Sequence, residues 1–177
     1  MAVRKSVHPA PEHLDAAELV DWQREDALVL LPDTLSPVDD QLVAGFRDRS
    51  QELRVRAKQQ GLAVEVYLPQ GARAGYYAEH AADWVLPLIL GVPAATLADL
   101  LAGEIRLWIS TWRDEGRSRT PMLRYREVVI DERTQTTKVR EVEGPADEVA
   151  DWIARRPALS PGGEPHEEEE WRWPHSE

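Results

Sequence analysis

The stretch GARAG at residues 71–75 has the residue types that most directly suggest ligand binding. It follows an alternating apolar run and precedes a longer apolar segment, so the pattern predicts a loop between a strand and a helix. Glycine lets backbone N–H groups point at an anion, and the start of a helix adds positive potential. The candidate ligand-binding residues for a phosphate or small molecule are Gly71, Arg73 and Gly75, with Asp33 as a further candidate. The glycines could equally serve only a tight turn.

Three polar clusters have residue types that could support catalysis or metal binding, but each lacks a member that the chemistry needs. Glu79, His80 and Asp83 have helical spacing without the second histidine of HExxH. The strand carboxylates lack the lysine that accompanies acids in metal-dependent nucleases; they are Glu65, Glu127, Asp131 and Glu141. A basic patch has few interleaved aromatic residues, and comprises Arg113, Arg117, Arg119, Arg124 and Arg126. We therefore expect no catalytic residue, no metal site and no cofactor.

Tryptophans supply the candidate protein-binding residues. Trp108 and Trp112 lie on the most regular apolar period of the chain, and their rings could extend beyond the core into a dimer contact. Trp171 and Trp173 follow the acidic run 167–170 near the C-terminus. Exposed tryptophans often anchor protein interfaces, so the tail could be a short binding motif or simply an inert acidic segment. A protein partner is expected, and a homo-oligomer remains an alternative.

Composition excludes several classes of function. The 177-residue chain has no cysteine, which excludes disulfides, thiolate catalysis and cysteine-ligated metals. Its net charge of −11 argues against nucleic acid as a partner, because backbone binding needs several basic residues on one face. Of 21 Lys and Arg residues, 18 are Arg, as in a GC-rich bacterial genome. No signal peptide is apparent, so we expect a cytoplasmic protein.

The uncharged segment at residues 84–98 raises the question of membrane contact. It is shorter than the roughly 20 apolar residues of a spanning helix, and Pro87, Gly91 and Pro93 interrupt it. We expect a buried helical hairpin here and therefore no membrane partner. Peripheral membrane association through residues 84–98 is the alternative.

The elements that position these residues predict an α+β fold. Residues 27–31 form a continuous apolar run, and residues 62–68 alternate as a strand does. Between them Ser36 is expected to cap a helix with Pro37 at its first position, and Gly61 to end it. Strand, helix and strand make a βαβ unit, so the two strands should be parallel neighbours.

Later segments complete the predicted architecture. Apolar spacing predicts helices over about 77–89 and from Pro93 to Trp112, which together form a central apolar helical hairpin. Residues 123–130 and 137–142 predict a C-terminal β-hairpin, and Pro145 begins a last helix. The expected domain organisation is a loose segment at 1–13, a single α+β domain with a small mixed sheet at 14–156, and a disordered acidic tail at 157–177.

The order of elements from Val85 onward carries a resemblance to a known family. It combines an Ala/Leu-rich helical stretch ending at Trp112 and Arg113, a β-hairpin over 123–142, and a short helix over 146–153. In outline this resembles the effector-associated constant-component proteins of bacterial conflict systems. The resemblance implies a non-catalytic adaptor that couples a recognition partner to an effector, and it implies no site residues.

Function is therefore predicted as a non-enzymatic protein-interaction or adaptor module of a bacterial cytoplasmic system. One alternative is a small-molecule or phosphate-binding protein that uses residues 71–75. The other is a peripheral membrane-associating protein that uses residues 84–98.

Overall fold

The computed structural model describes residues 3–24, 26–47, 49–77, 84–91, 95–114, 116, 119–131 and 133–155. These residues form nine strands and four helices. The strands are β1 (Arg4–Pro9), β2 (Ala27–Leu31), β3 (Thr34–Val38), β4 (Gln41–Arg47), β5 (Ala63–Val66), β6 (Ala72–Tyr77), β7 (Trp84–Leu90), β8 (Met122–Asp131) and β9 (Thr136–Pro145). The helices are α1 (Ala16–Val20), α2 (Arg49–Gln59), α3 (Ala95–Asp114) and α4 (Ala146–Ala154).

The strands make two mixed sheets, which confirms the predicted α+β class. The larger sheet has the order β1-β9-β8-β7-β2-β5, and the smaller has the order β3-β4-β6. β2 and β5 are parallel neighbours, as the βαβ pattern predicts. The C-terminal hairpin also forms as predicted, because β8 and β9 pair along their whole length.

The predicted helix beginning at Ser36 is wrong in its first half. Residues 34–47 form the antiparallel hairpin of β3 and β4, and helix begins only at Arg49. The hairpin turn consists of Asp39 and Asp40, both with positive φ (48° and 60°). Two such residues between paired strands are typical of a tight hairpin turn, which aspartate tolerates better than most residues. Gly61, with φ of 78°, follows the end of α2 as expected.

The first half of the predicted helical hairpin is also wrong. Residues 84–90 form β7, which is buried along its whole length and lies between β8 and β2. A continuous apolar run suits a strand that packs on both faces, and periodicity alone does not distinguish it from a buried helix. Pro87 lies where the pairing register of β7 with β8 shifts, between Val85 and Leu88, so the irregularity accommodates its missing N–H.

The N-terminal segment is part of the larger sheet. Residues 4–9, which the sequence placed in a loose segment, pair with β9 as an antiparallel edge strand. Asp15 caps α1 by accepting a hydrogen bond from the Ala17 N–H at 2.8 Å. The predicted last helix is confirmed, because α4 directly follows Pro145. The tail at 157–177 lies outside the described residues.

Helices cover both faces of the larger sheet. α2, α3 and α4 contribute Leu53, Leu101 and Ile153 to the main core, together with the β2 residues Leu28 and Leu30. α1 packs on the opposite face, where its Leu19 contacts a second cluster that includes Val29 and Leu31 of the same strand. The predicted apolar period of α3 is therefore confirmed as its core-facing side.

Two leucines of α3 test this assignment. Leu101 is 2% exposed and Leu107 is 48% exposed. Leu101→Ala should lower the free energy of unfolding by about 2–5 kcal/mol, because it leaves a cavity in the main core. The matched change Leu107→Ala should alter it by no more than about 0.5 kcal/mol. Urea denaturation of both variants measures the difference, and equal losses would contradict the predicted orientation of α3.

Candidate functional site

The GARAG stretch lies at the beginning of an edge strand. Gly71 occupies a turn with φ of 76°, and residues 72–77 form β6, which runs parallel to β4. The helix expected to follow Gly75 is therefore absent from residues 72–77. An anion site at Gly71, Arg73 and Gly75 loses the positive helix end on which the sequence argument depended. Arg73 is exposed.

Gly75 of this stretch has a packing role. Gly75 lies opposite Gly45 of β4, and a Cβ at Gly75 would come within 2.7 Å of the Val43 side chain. A Cβ at Gly45 would in turn clash with the Thr34 hydroxyl. The absence of side chains therefore lets the three strands of the smaller sheet pack closely, which is the structural alternative to ligand binding.

The edges of the two sheets differ in how they are protected. Three of the four edge strands have features that usually discourage further pairing. β1 carries Arg4 and Lys5 and ends at Pro9, β5 is only four residues long, and β3 contains Pro37. β6 has six residues, no proline and one charge, at Arg73. In the described part of the chain, no strand pairs with its outer side.

The last two residues of β6 are tyrosines. Tyr76 and Tyr77 are each 37% exposed. The Tyr76 ring lies 5.8 Å from the ring of the buried Phe46, and the Arg47 guanidinium lies 5.8 Å from the Tyr77 ring. Burial, and then the negative charge of Asp33, raise the pKa of the Tyr77 phenol, so it stays neutral near physiological pH. Each ring therefore packs against a neighbouring side chain and remains partly exposed to solvent.

Asp33 joins the two sheets through a charged cluster, here called the Asp33 junction, which comprises Asp33, Arg47 and Arg126. The Asp33 carboxylate pairs with Arg47 of β4 at 3.3 Å and with Arg126 of β8. Its N–H donates to the Gly45 carbonyl at 2.8 Å. Arg126 also donates to the Leu86 carbonyl at 3.4 Å, next to the irregularity in β7. The sequence suggested Asp33 for ligand binding together with Gly71 and Arg73. The ion pairs described here instead join its carboxylate to Arg47 and Arg126.

The predicted tryptophan surface is largely core. Trp108 is 4% exposed, and its ring lies 6.1 Å from Trp84 in an edge-on contact. Trp112 is half-buried, lies 5.1 Å from Trp84, and donates from its Nε1 to the Arg119 carbonyl at 3.1 Å. These contacts assign both rings to packing, which leaves Trp108 inaccessible to a partner. Trp171 and Trp173 lie outside the described residues, so the tail hypothesis stays a prediction.

The strand carboxylates separate into different environments. Glu127 is fully buried and accepts a hydrogen bond from the Tyr125 hydroxyl at 2.8 Å. Asp131 accepts hydrogen bonds from the hairpin-turn N–H groups of Arg133 and Thr134. A hydrogen bond from the Thr134 side chain, and then these backbone hydrogen bonds, lower the pKa of Asp131. The predicted cluster of Glu79, His80 and Asp83 lies outside the described residues. Within the described ranges, no three His, Asp or Glu side chains form a group suited to a metal ion.

A groove between α2 and α3 is a surface feature that the sequence analysis missed. Its volume is about 490 Å³, and its lining includes the exposed side chains of Val55 and Leu107. Both residues fall outside the apolar periods that mark the buried faces of α2 and α3. The sequence signal for this groove was an apolar residue on each helix that lies outside the buried, core-facing side.

The apolar segment that suggested membrane contact is used in the core. Residues 84–90 are all buried as β7. In the part of the chain that the structure describes, none of the helices has the length and apolar character needed to cross a membrane.

Comparison of the chain with protein-family models, curated proteins and solved structures finds no match. The resemblance to effector-associated constant-component proteins therefore stays a prediction.

The Asp33 junction gives a stability prediction. Asp33→Ala should lower the free energy of unfolding by about 3 kcal/mol, because two largely buried guanidinium groups lose their carboxylate. We place the effect at the low end for a buried pair, since the Arg47 and Arg126 side chains keep 19% and 16% exposure. Asp99→Ala, at an exposed position of α3, is the matched control. A loss below about 1 kcal/mol in chemical denaturation would class the junction with surface ion pairs.

Proposed function

We propose that this protein is a non-enzymatic interaction module that binds an extended segment of a partner protein along the outer edge of β6. The observation that carries the proposal is the unprotected edge: six residues with one charge, no proline and two exposed tyrosines. Such an edge offers main-chain donors and acceptors to an added strand.

The side chains of β6 suit this mode of binding. Ala72, Ala74 and Gly75 are small, so a partner backbone can approach the edge without displacing them. Tyr76 and Tyr77 supply aromatic surface at one end, and aromatic residues are enriched among the anchors of protein interfaces. Main-chain hydrogen bonds would give affinity, and contacts with the tyrosines would give specificity.

A non-enzymatic role is supported by how the charged side chains are used. At the sheet junction, the single carboxylate of Asp33 is engaged in ion pairs with both Arg47 and Arg126. The arginine-rich composition and the outline resemblance support placing the module in a bacterial cytoplasm, as an adaptor.

Affinity capture with an edge variant tests the proposal. Ala74→Lys places a charge in the middle of the β6 edge, where lysine is known to discourage strand addition. Because Ala74 is exposed, the fold should be retained. The matched control is Ala17→Lys, at an exposed position of α1. From the lysate of the source cells, we expect a protein that the wild type and Ala17→Lys capture and that Ala74→Lys loses.

Hydrogen exchange of the reconstituted complex should then show new protection at residues 72–77. Equal capture by Ala74→Lys, or protection confined to another part of the chain, would refute the edge as the docking site. A chain that ends at residue 156 tests the tail in the same assay. Loss of the partner from that chain alone would assign binding to the tail with Trp171 and Trp173.

A further inference from the structure

The groove between α2 and α3 combines apolar walls with a polar base. Val55 and Leu107 are 57% and 48% exposed, and both line this groove. The remaining lining is polar and comprises Gln51, Glu52, Arg56, Gln59, Gln60 and Glu104. The groove therefore offers apolar contact and hydrogen bonding to the same occupant.

Glu104 is the most deeply buried member of this lining. Its residue is 3% exposed, and its Oε1 accepts a hydrogen bond from the Gln60 amide. Its Oε2 is also buried, yet it accepts no hydrogen bond from any residue that the structure describes. A buried carboxylate oxygen without a donor is costly, so this atom is a strong site for an incoming donor.

The nearest cation in the groove is close to this oxygen but does not donate a hydrogen bond to it. Arg56 Nη1 lies 3.8 Å from Glu104 Oε2, beyond hydrogen-bonding distance. The same guanidinium pairs with Glu52 Oε1 at 3.1 Å and lies over the Trp108 ring at 5.9 Å. These contacts hold Arg56 between two carboxylates.

Charge indicates a cationic occupant. The lining contains two carboxylates, Glu52 and Glu104, and one guanidinium, Arg56, which gives a net charge of −1. The whole chain has a net charge of −11. Both the groove and the long-range field therefore attract a positive group.

We propose that this groove binds a lysine side chain carried by an amphipathic helix of a partner protein. The aliphatic stem packs between Val55 and Leu107, and the ammonium donates to Glu104 Oε2. Lysine fits better than arginine because Gln60 already occupies Oε1, so a planar fork has no second carboxylate oxygen to bind. A groove between two helices is the usual setting for a docked amphipathic helix.

Two synthetic peptides test the inference directly. One is a short amphipathic helix with leucines at helical spacing and a central lysine, and the other has norleucine in place of that lysine. Glu104→Gln keeps the shape of the side chain and removes its charge, and Glu148→Gln, on the exposed side of α4, is the matched control. The assay is fluorescence anisotropy against the full chain, with thermal unfolding to confirm that each variant is folded.

We expect Glu104→Gln to weaken binding of the lysine peptide by about 10- to 100-fold, because a hydrogen bond to a charged group is lost. Binding of the norleucine peptide should be unchanged. Glu148→Gln should bind both peptides as the wild type does. Leu107→Ser, which changes an exposed side chain and leaves the core intact, should weaken both peptides. This variant keeps the test valid if Glu104→Gln proves unstable.

Three outcomes would overturn the inference. Equal binding of the lysine and norleucine peptides to the wild type would show that the ammonium is not recognised. An equal loss with Glu104→Gln and Glu148→Gln would show only general attraction to an acidic protein. Saturable binding of free pentylamine at Glu104, with no binding of the lysine peptide, would assign the groove to a small amine.

Discussion

The relation between the two sheets depends on the carboxylate of Asp33. Removing three charges from water is costly, and the cost is offset only while all three remain in contact. The carboxylate pairs with Arg47 and Arg126, and the Asp33 N–H also bonds to Gly45. These bonds fix β4 relative to the larger sheet, and because β6 pairs along β4, they also fix the edge that β6 presents. The proposed docking strand is therefore positioned by a residue that lies outside it.

Much of the larger sheet could be predicted from sequence because its segments have one consistent pattern. The hairpin of β8 and β9 and the long period of α3 are local signals, and local signals agree with the structure here. The segments at 36–47 and 84–90 were misassigned for different reasons. Ser36 and Pro37 resemble a helix start, but Asp39 and Asp40 adopt a hairpin turn between β3 and β4. Residues 84–90 are apolar at every position, so their period contains no information about strand or helix.

The candidate site was less predictable because it depends on neighbours that are distant in the chain. Residues 71–77 looked like a loop and a helix start, and only their pairing with β4 makes them an edge strand. Glu104 is one charge within the apolar period of α3, and only the approach of α2 buries it beside Gln60. β6 and the groove involve different elements, so the two proposed surfaces could be occupied together. An adaptor that joins two partners needs this kind of separation.

The pairing of β1 with β9 has a consequence for how the sheet is completed during synthesis. Residues 4–9 leave the ribosome before the other described strands, but their partner residues 138–143 are made near the end of the described chain. Throughout that interval β1 has no native partner, while the strands made after it become available for wrong pairing. The charges of Arg4 and Lys5 discourage such pairing. β1, the first of the described strands in chain order, can therefore join the larger sheet only after β9 has been made, and its addition covers the edge of β9.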